Sequence, residues 1–275
     1  MKPVYHSLIL KVSPDQAEAV YAVLYEAGCA GIVEEDSQND LVLKAYFENY
    51  PNPESLLILA KTLSLESPVL TEIGINSNQF IPAPYDPFHL SGHFWVSPPQ
   101  DLYLSDLRPP KSAMSILIKP GIAFGSGRHQ TTRLCAQLME SFKAQSLLDV
   151  GTGSGILALL ASHLGFTSID AVEISQEALE NARENFELNQ VSHIALFSDI
   201  QLCTESYDVV VANILTPTIL HLKEVLLSRL KSQGFLILSG ITESEYPSIL
   251  QAFVEMKKVK EVIEDGWIGV AFQRI

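Results

Sequence analysis

The segment Leu147-Leu148-Asp149-Val150-Gly151-Thr152-Gly153-Ser154-Gly155-Ile156 constrains this chain more than any other. An apolar run reads as a buried strand, three alternating glycines read as a turn, and the apolar stretch that follows reads as a helix. Glycines at such a turn let the backbone pass close to a ligand, and the helix start presents free N–H groups to it. The spacing is G-x-G-x-G and not the G-x-G-x-x-G of dinucleotide-binding turns. Asp149 sharpens the reading, because a carboxylate there repels a pyrophosphate and suits a ligand that carries an amino group.

Around this turn the pattern alternates strand and helix, as in a parallel sheet covered on both faces. The strands are read at Ser146–Val150, Ser168–Ile174, His193–Ser198, Tyr207–Asn213 and Phe235–Ser239, with helices starting near Gly155, Ser175 and Thr218. Val259–Glu264 and Trp267–Gln273 are joined by Asp265-Gly266, a two-residue hairpin signal. The expected fold class is thus α/β, a mostly parallel seven-stranded Rossmann-like sheet ending in an antiparallel hairpin.

The rest of the 275 residues divides in two. Residues 1–75 read as βαββαβ, a ferredoxin-like α+β unit: strand Val4–Val12, helix Pro14–Ala27 stopped by Gly28, a hairpin of Gly31–Glu35 and Leu41–Phe47, a helix over 54–64, and strand Val69–Ile75. Residues 76–119 are rich in proline and read as a linker and extended segment, whose Phe88, Phe94 and Trp95 would pack on a domain surface. The sheet domain then occupies 120–275.

Composition narrows the partners. The net charge is −14, from 18 Lys and Arg against 32 Asp and Glu, which disfavours a sequence-independent grip on nucleic acid. The longest apolar stretches, such as Ile156–Ala161, fall far short of the ~20 residues a membrane span needs. The first residues open directly into Leu8-Ile9-Leu10 with no signal-peptide pattern, so a cytoplasmic protein is expected. Cys29, Cys135 and Cys203 fit no zinc spacing and no disulfide framework, and read as structural thiols; no metal site is expected. Residues 1–75 carry Lys2, Lys11, Lys44 and Lys61 against eleven acids, a surface that would attract a basic protein and repel RNA.

Several residues carry candidate chemistry. Glu173 ends the second strand, 22 residues beyond Gly151, where it can hydrogen-bond both hydroxyls of a ribose and exclude a 2′-phosphate. Asp199, just past the third strand, could take an adenine amino group or serve as a plain turn residue. Asn213 closes the fourth strand beside the switch-point crevice, with an amide that both accepts and donates.

The glycine turn, Glu173 and the final hairpin resemble class I S-adenosylmethionine-dependent methyltransferases. Residues 119–132, Lys119-Pro120-Gly121-Ile122-Ala123-Phe124-Gly125-Ser126-Gly127-Arg128-His129-Gln130-Thr131-Thr132, with Val211-Ala212-Asn213-Ile214-Leu215 and Leu238-Ser239-Gly240-Ile241, are similar to the methyltransferases of large-subunit ribosomal protein eleven. That resemblance implies S-adenosylmethionine as cofactor, held by Thr132, Gly151, Gly153, Glu173 and Asn213, with Phe124 packing near it. It also implies methyl transfer to amines of a ribosomal protein, lysine side chains, the α-amine or both; Asn213, through its side-chain oxygen, is expected to orient the amine. His129 matches the family's loop histidine and reads as a structural hydrogen-bonder or a base. A monomer without membrane or nucleic acid contacts is expected. The chain departs from the family at Ser126 and Glu173, where the family has Thr and Asp, and at Phe80–Tyr85 and Thr216-Pro217 on the substrate side. Two alternatives stay open: a methyltransferase of the same fold acting on another protein, RNA or a small amine, and a cofactor-binding assembly factor without turnover.

Overall fold

The computed structural model describes residues 5–13, 20–21, 23–24, 27–29, 31–37, 40–47, 51, 70–73, 85–119 and 127–275. The chain divides into two compact units, the first over Met1–Pro82 and the second over Ala83–Gly121 and Gly125–Ile275.

In the first unit, β1 (Tyr5–Val12), β2 (Gly31–Ser37), β3 (Asp40–Phe47) and β4 (Leu70–Ile73) form one sheet in the order β2-β3-β1-β4. Every pairing is antiparallel, which is the sheet of the expected ferredoxin-like unit. Leu8, Leu10 and Val12 alternate inward on β1 and meet Leu43, Ala45 and Phe47 of β3, with Val20 and Leu24 packed in the same core. Residues 20, 21, 23 and 24 are helical. That helix stops where Cys29 N donates to Leu24 O across Gly28 at φ +88°, a Schellman-type closure. The helix expected over 54–64 lies outside the described residues.

The second unit begins earlier than the sequence suggests. Within the expected linker, β5 (Phe88–Ser91), β6 (Phe94–Ser97) and β7 (Met114–Leu117) form a three-stranded sheet. Pro98, Pro99, Pro109 and Pro110 lie between β6 and β7, where each removes a backbone donor. Tyr85 Oη donates to Ile118 O at 2.6 Å, and both backbone groups of Leu117 bond the Asn189 side chain at 2.9 and 2.7 Å. This segment is therefore fastened to the large sheet domain.

That domain continues with α1 (Gln130–Met139), β8 (Ser146–Val150), α2 (Ile156–His163), β9 (Ser168–Val172), α3 (Gln176–Leu188) and β10 (Ile194–Phe197). There follow β11 (Tyr207–Asn213), α4 (Thr216–Ser228), β12 (Leu230–Thr242), α5 (Tyr246–Ala252), β13 (Lys257–Glu264) and β14 (Trp267–Gln273). The seven-stranded sheet runs β10-β9-β8-β11-β12-β14-β13, parallel through β12 and antiparallel at β14 and β13. Strand order reverses between β8 and β11, the switch point at which open α/β sheets place ligands. All five residues of β8 are buried. Leu147 packs with α1, α2 and α3 on one face, and Leu148 and Val150 pack with α4 and α5 on the other. Among the described residues no helix is long and apolar enough to cross a membrane.

Candidate active site

The glycine turn follows β8 as the sequence suggests. Gly151 N and Thr152 N both donate to Val172 O at 2.9 Å, so the chain leaves its own strand by bonding to the end of β9. Gly151, Gly153 and Gly155 have φ of +73°, +54° and +82°, where L-residues are strained. Space adds a second reason for glycine. A Cβ on Gly151 would lie 2.4 Å from Ile214 Cγ2, and one on Gly155 would lie 2.4 Å from Phe186 Cε1. Gly155 caps α2 without a side chain, so the helix start turns bare backbone toward the crevice.

Asp149 sits beneath this turn, 1 % exposed, with Oδ2 accepting from Thr152 Oγ1 at 2.6 Å. Burial pushes its carboxyl up to about 7, against the opposing pull of the Thr152 hydrogen bond. Its Oδ1 is buried with no hydrogen-bond partner among the described residues. The Thr152 hydrogen bond ties this carboxyl to the turn.

Glu173 follows β9 and faces the turn. Its Oε2 accepts from Gly153 N at 3.1 Å and its Oε1 from Ser175 N at 3.0 Å. A carboxylate has room for about four such bonds. One acceptor position remains on each oxygen, which is what two vicinal hydroxyls of a ribose require, so these acceptors fit an adenosyl group. Ile174, the next residue, is 87 % exposed and offers an apolar surface beside that acid. Ile174 was expected as the last residue of this strand, but the strand ends at Val172 and leaves Ile174 in the loop.

Asn213, at the end of β11, meets the first turn of α1: its Nδ2 donates to Thr132 Oγ1 at 3.3 Å. Thr132 is 1 % exposed and Asn213 is half-buried. Gly240 of β12, at φ +82°, lets Ile214 pass, since a Cβ there would lie 2.3 Å from Ile214 O. Thr132, Gly151, Gly153, Glu173 and Asn213 thus gather at the carboxyl edge of β8, β9 and β11.

Three other candidates stand differently. His129 caps α1, its Nδ1 within 2.9 Å of Thr131 Oγ1 and 3.4 Å of Thr131 N. Burial, with Arg133 beside it, pulls the imidazole down to about 4, too weak a base to take a proton from an ammonium group. Asp199 is exposed and its Oδ1 accepts from Gln201 N at 2.8 Å, capping a short turn past β10. Phe124 lies outside the described residues.

Residues 78–275 match the family model described as "Ribosomal protein L11 methyltransferase (PrmA)". The ribosomal protein L11 methyltransferase of Laribacter hongkongensis is 34 % identical over 212 residues, 74 % of this chain and 69 % of that protein. Its counterpart in Lactobacillus gasseri is 34 % identical over 265 residues, 87 % of this chain and 81 % of that protein. The solved ribosomal protein L11 methylase of Lactobacillus delbrueckii subsp. bulgaricus superposes with a TM-score of 0.62 at 37 % identity, covering 69 % of this chain and 99 % of that one.

Proposed function

The chain belongs to the ribosomal protein L11 methyltransferase family, and on that premise we propose that it transfers methyl groups from S-adenosylmethionine to amines of ribosomal protein L11, lysine side chains, the α-amine or both. The cofactor supplies a methyl group already activated on a sulfonium. This chain's residues must then hold the nucleophile in line and keep water out.

The observation that carries the reading is the bond between Asn213 Nδ2 and Thr132 Oγ1 at the switch point. With its nitrogen engaged, the amide turns its oxygen the other way, where it can accept an N–H from an incoming amine and orient the lone pair. Glu173 holds the ribose hydroxyls, Gly151 and Gly153 let the backbone approach the cofactor, and Thr132 and Asn213 close the far side. Phe124 is assigned to the cofactor by family resemblance, and Asp199 by its position just past the third strand.

A lysine amine, with a pKa near ~10.4 in water, must arrive neutral, and a closed, desolvated site lowers that value. The acidic N-terminal unit suits a basic protein substrate. A monomer acting in the cytoplasm, without membrane or nucleic acid contacts, completes the reading.

The test is incubation with isotopically labelled S-adenosylmethionine and unmethylated ribosomal components, with products resolved by mass. Label is expected in one basic large-subunit protein. Label in RNA, or none despite demonstrated cofactor binding, would overturn the substrate. Asn213→Ala is expected to lower turnover about a hundredfold, and parental turnover with cofactor bound would remove its orienting role.

A further inference from the structure

The tip of the β13–β14 hairpin grips the first turn of α1. Arg133 Nη2 donates to Glu264 Oε1 at 2.5 Å, and its Nε lies 3.2 and 3.4 Å from the two carboxylate oxygens. The same guanidinium donates through Nη1 to Arg128 O at 3.1 Å. His129 packs edge-on against Trp267 with ring centroids 4.8 Å apart, and Gln130 Nε2 reaches Asp265 Oδ2 at 3.4 Å. Asp265 and Gly266 have φ of +49° and +80°, the backbone of a tight two-residue hairpin.

Residues 129, 130 and 133 are therefore held from one side, and Thr132 lies among them. Its backbone N donates to His129 O at 3.1 Å, and its hydroxyl accepts from Asn213. One neutral hydrogen bond of this kind contributes about 1 kcal/mol, which biases an amide between its two orientations only several-fold. The bias acts only while Thr132 stays in place, and the first turn of a helix is where fraying begins. A multidentate, partly buried Arg–carboxylate pair fixes direction as well as distance.

We propose that Glu264 and Trp267 are positioning residues for methyl transfer: they fix the first turn of α1, which fixes Thr132, which sets the direction in which Asn213 presents its amide oxygen. The inference rests on the role given to Asn213 above. Neither residue needs to touch the cofactor or the substrate, and both act through α1.

Glu264→Gln keeps the shape and removes the charge. Turnover on ribosomal protein L11 is expected to fall about tenfold, with KM for that substrate and the melting temperature near parental values. The charge-swapped pair Arg133→Glu with Glu264→Arg is expected to recover most of the loss. Lys258→Met breaks the Lys258–Glu261 pair on the same hairpin without touching α1, and is expected to leave turnover unchanged. A readout independent of methyl transfer comes from Trp267, the sole indole once Trp95 is replaced by Phe. Its emission is expected to change when S-adenosylmethionine is added, and that change is expected to be lost in Glu264→Gln.

The proposal is overturned if the Glu264→Gln loss tracks the melting temperature, if Lys258→Met matches it, if the swapped pair is no better than either single variant, or if Trp267 emission ignores the cofactor in the Trp95→Phe protein. A parental protein that shifts Trp267 emission yet labels no ribosomal protein would refute the proposed substrate, and the emission comparison would then decide the positioning role alone.

Discussion

Replacing Asp149 with Asn should stabilise the protein at alkaline pH and do so less at acid pH. An unfolded chain ionises this carboxyl near 3.8, whereas the folded protein holds it protonated up to about 7 because the site is buried. Between those values the folded state binds the proton and the unfolded state does not. Stability therefore falls as pH rises through the window, and the full penalty is reached above the folded value. At ~1.4 kcal/mol per pH unit, the penalty is about 2 kcal/mol near pH 5 and about 4 kcal/mol near pH 8. Asn is nearly isosteric, its amide oxygen can accept from Thr152 Oγ1, and it carries no charge at any pH. Any cost of an unpaired amide N–H is independent of pH and leaves the slope untouched. The variant-minus-parent melting difference should thus grow by about 5–10 °C between pH 5 and pH 8 for a domain of this size. Thermal melts of both proteins without cofactor, followed by near-ultraviolet circular dichroism, measure it. A difference flat across that range would mean that Asp149 does not change charge in the folded protein, and would refute the reasoning.

Gly155→Ala must place a Cβ at φ +82° and 2.4 Å from Phe186 Cε1, so the melting temperature should fall by about 10 °C, from roughly 3 kcal/mol of strain and overpacking; a change under about 2 °C in a thermal melt would contradict the packing argument. Glu173→Gln loses one charge-assisted acceptor position toward the ribose, and calorimetric titration should show S-adenosylmethionine binding weakened at least about tenfold, whereas unchanged affinity would remove Glu173 from the site. Methyl transfer to a basic protein should slow as salt rises from about 50 to about 300 mM, mainly through KM, and a flat response would remove electrostatic steering by the acidic N-terminal residues.

The sheet was legible because its buried strands are short apolar runs punctuated by Gly, Asn and Asp. Ser146–Val150 and Tyr207–Asn213 have the expected ends, and the antiparallel hairpin follows from Asp265-Gly266. What escaped depends on distant partners. β12 runs from Leu230 to Thr242, beyond the expected Phe235–Ser239, because Tyr207 pairs with Leu230 at one end and Trp267 with Thr242 at the other. α1 buries Thr131 and Thr132 in its first turn ahead of the apolar Leu134, Cys135, Ala136, Leu138 and Met139, so its start does not look like part of a buried face. The four-residue strands β5, β6 and β7 sit among prolines that locally argue against any element. Among the candidate site residues, Gly151, Gly153 and Glu173 stand out from spacing alone. Thr132 does not, because its contact with Asn213 spans 81 residues of sequence.

The way the acidic groups of the site are used also limits its chemistry. Asp149 is buried and accepts from Thr152, and Glu173 accepts from Gly153 N and Ser175 N. His129 is committed to the start of α1 and is too weak a base to matter at neutral pH. Among the described residues, the polar side chains that meet at the Asn213 end of the crevice are an amide and a hydroxyl, bonded to each other. Such a pair carries no net charge and is too weak a base to deprotonate an ammonium ion. A carboxylate in the place of Asn213 would stabilise the protonated, unreactive form of the amine and raise its pKa. On the role proposed for Asn213, desolvation of the amine would take the place of a charged base in favouring its neutral form.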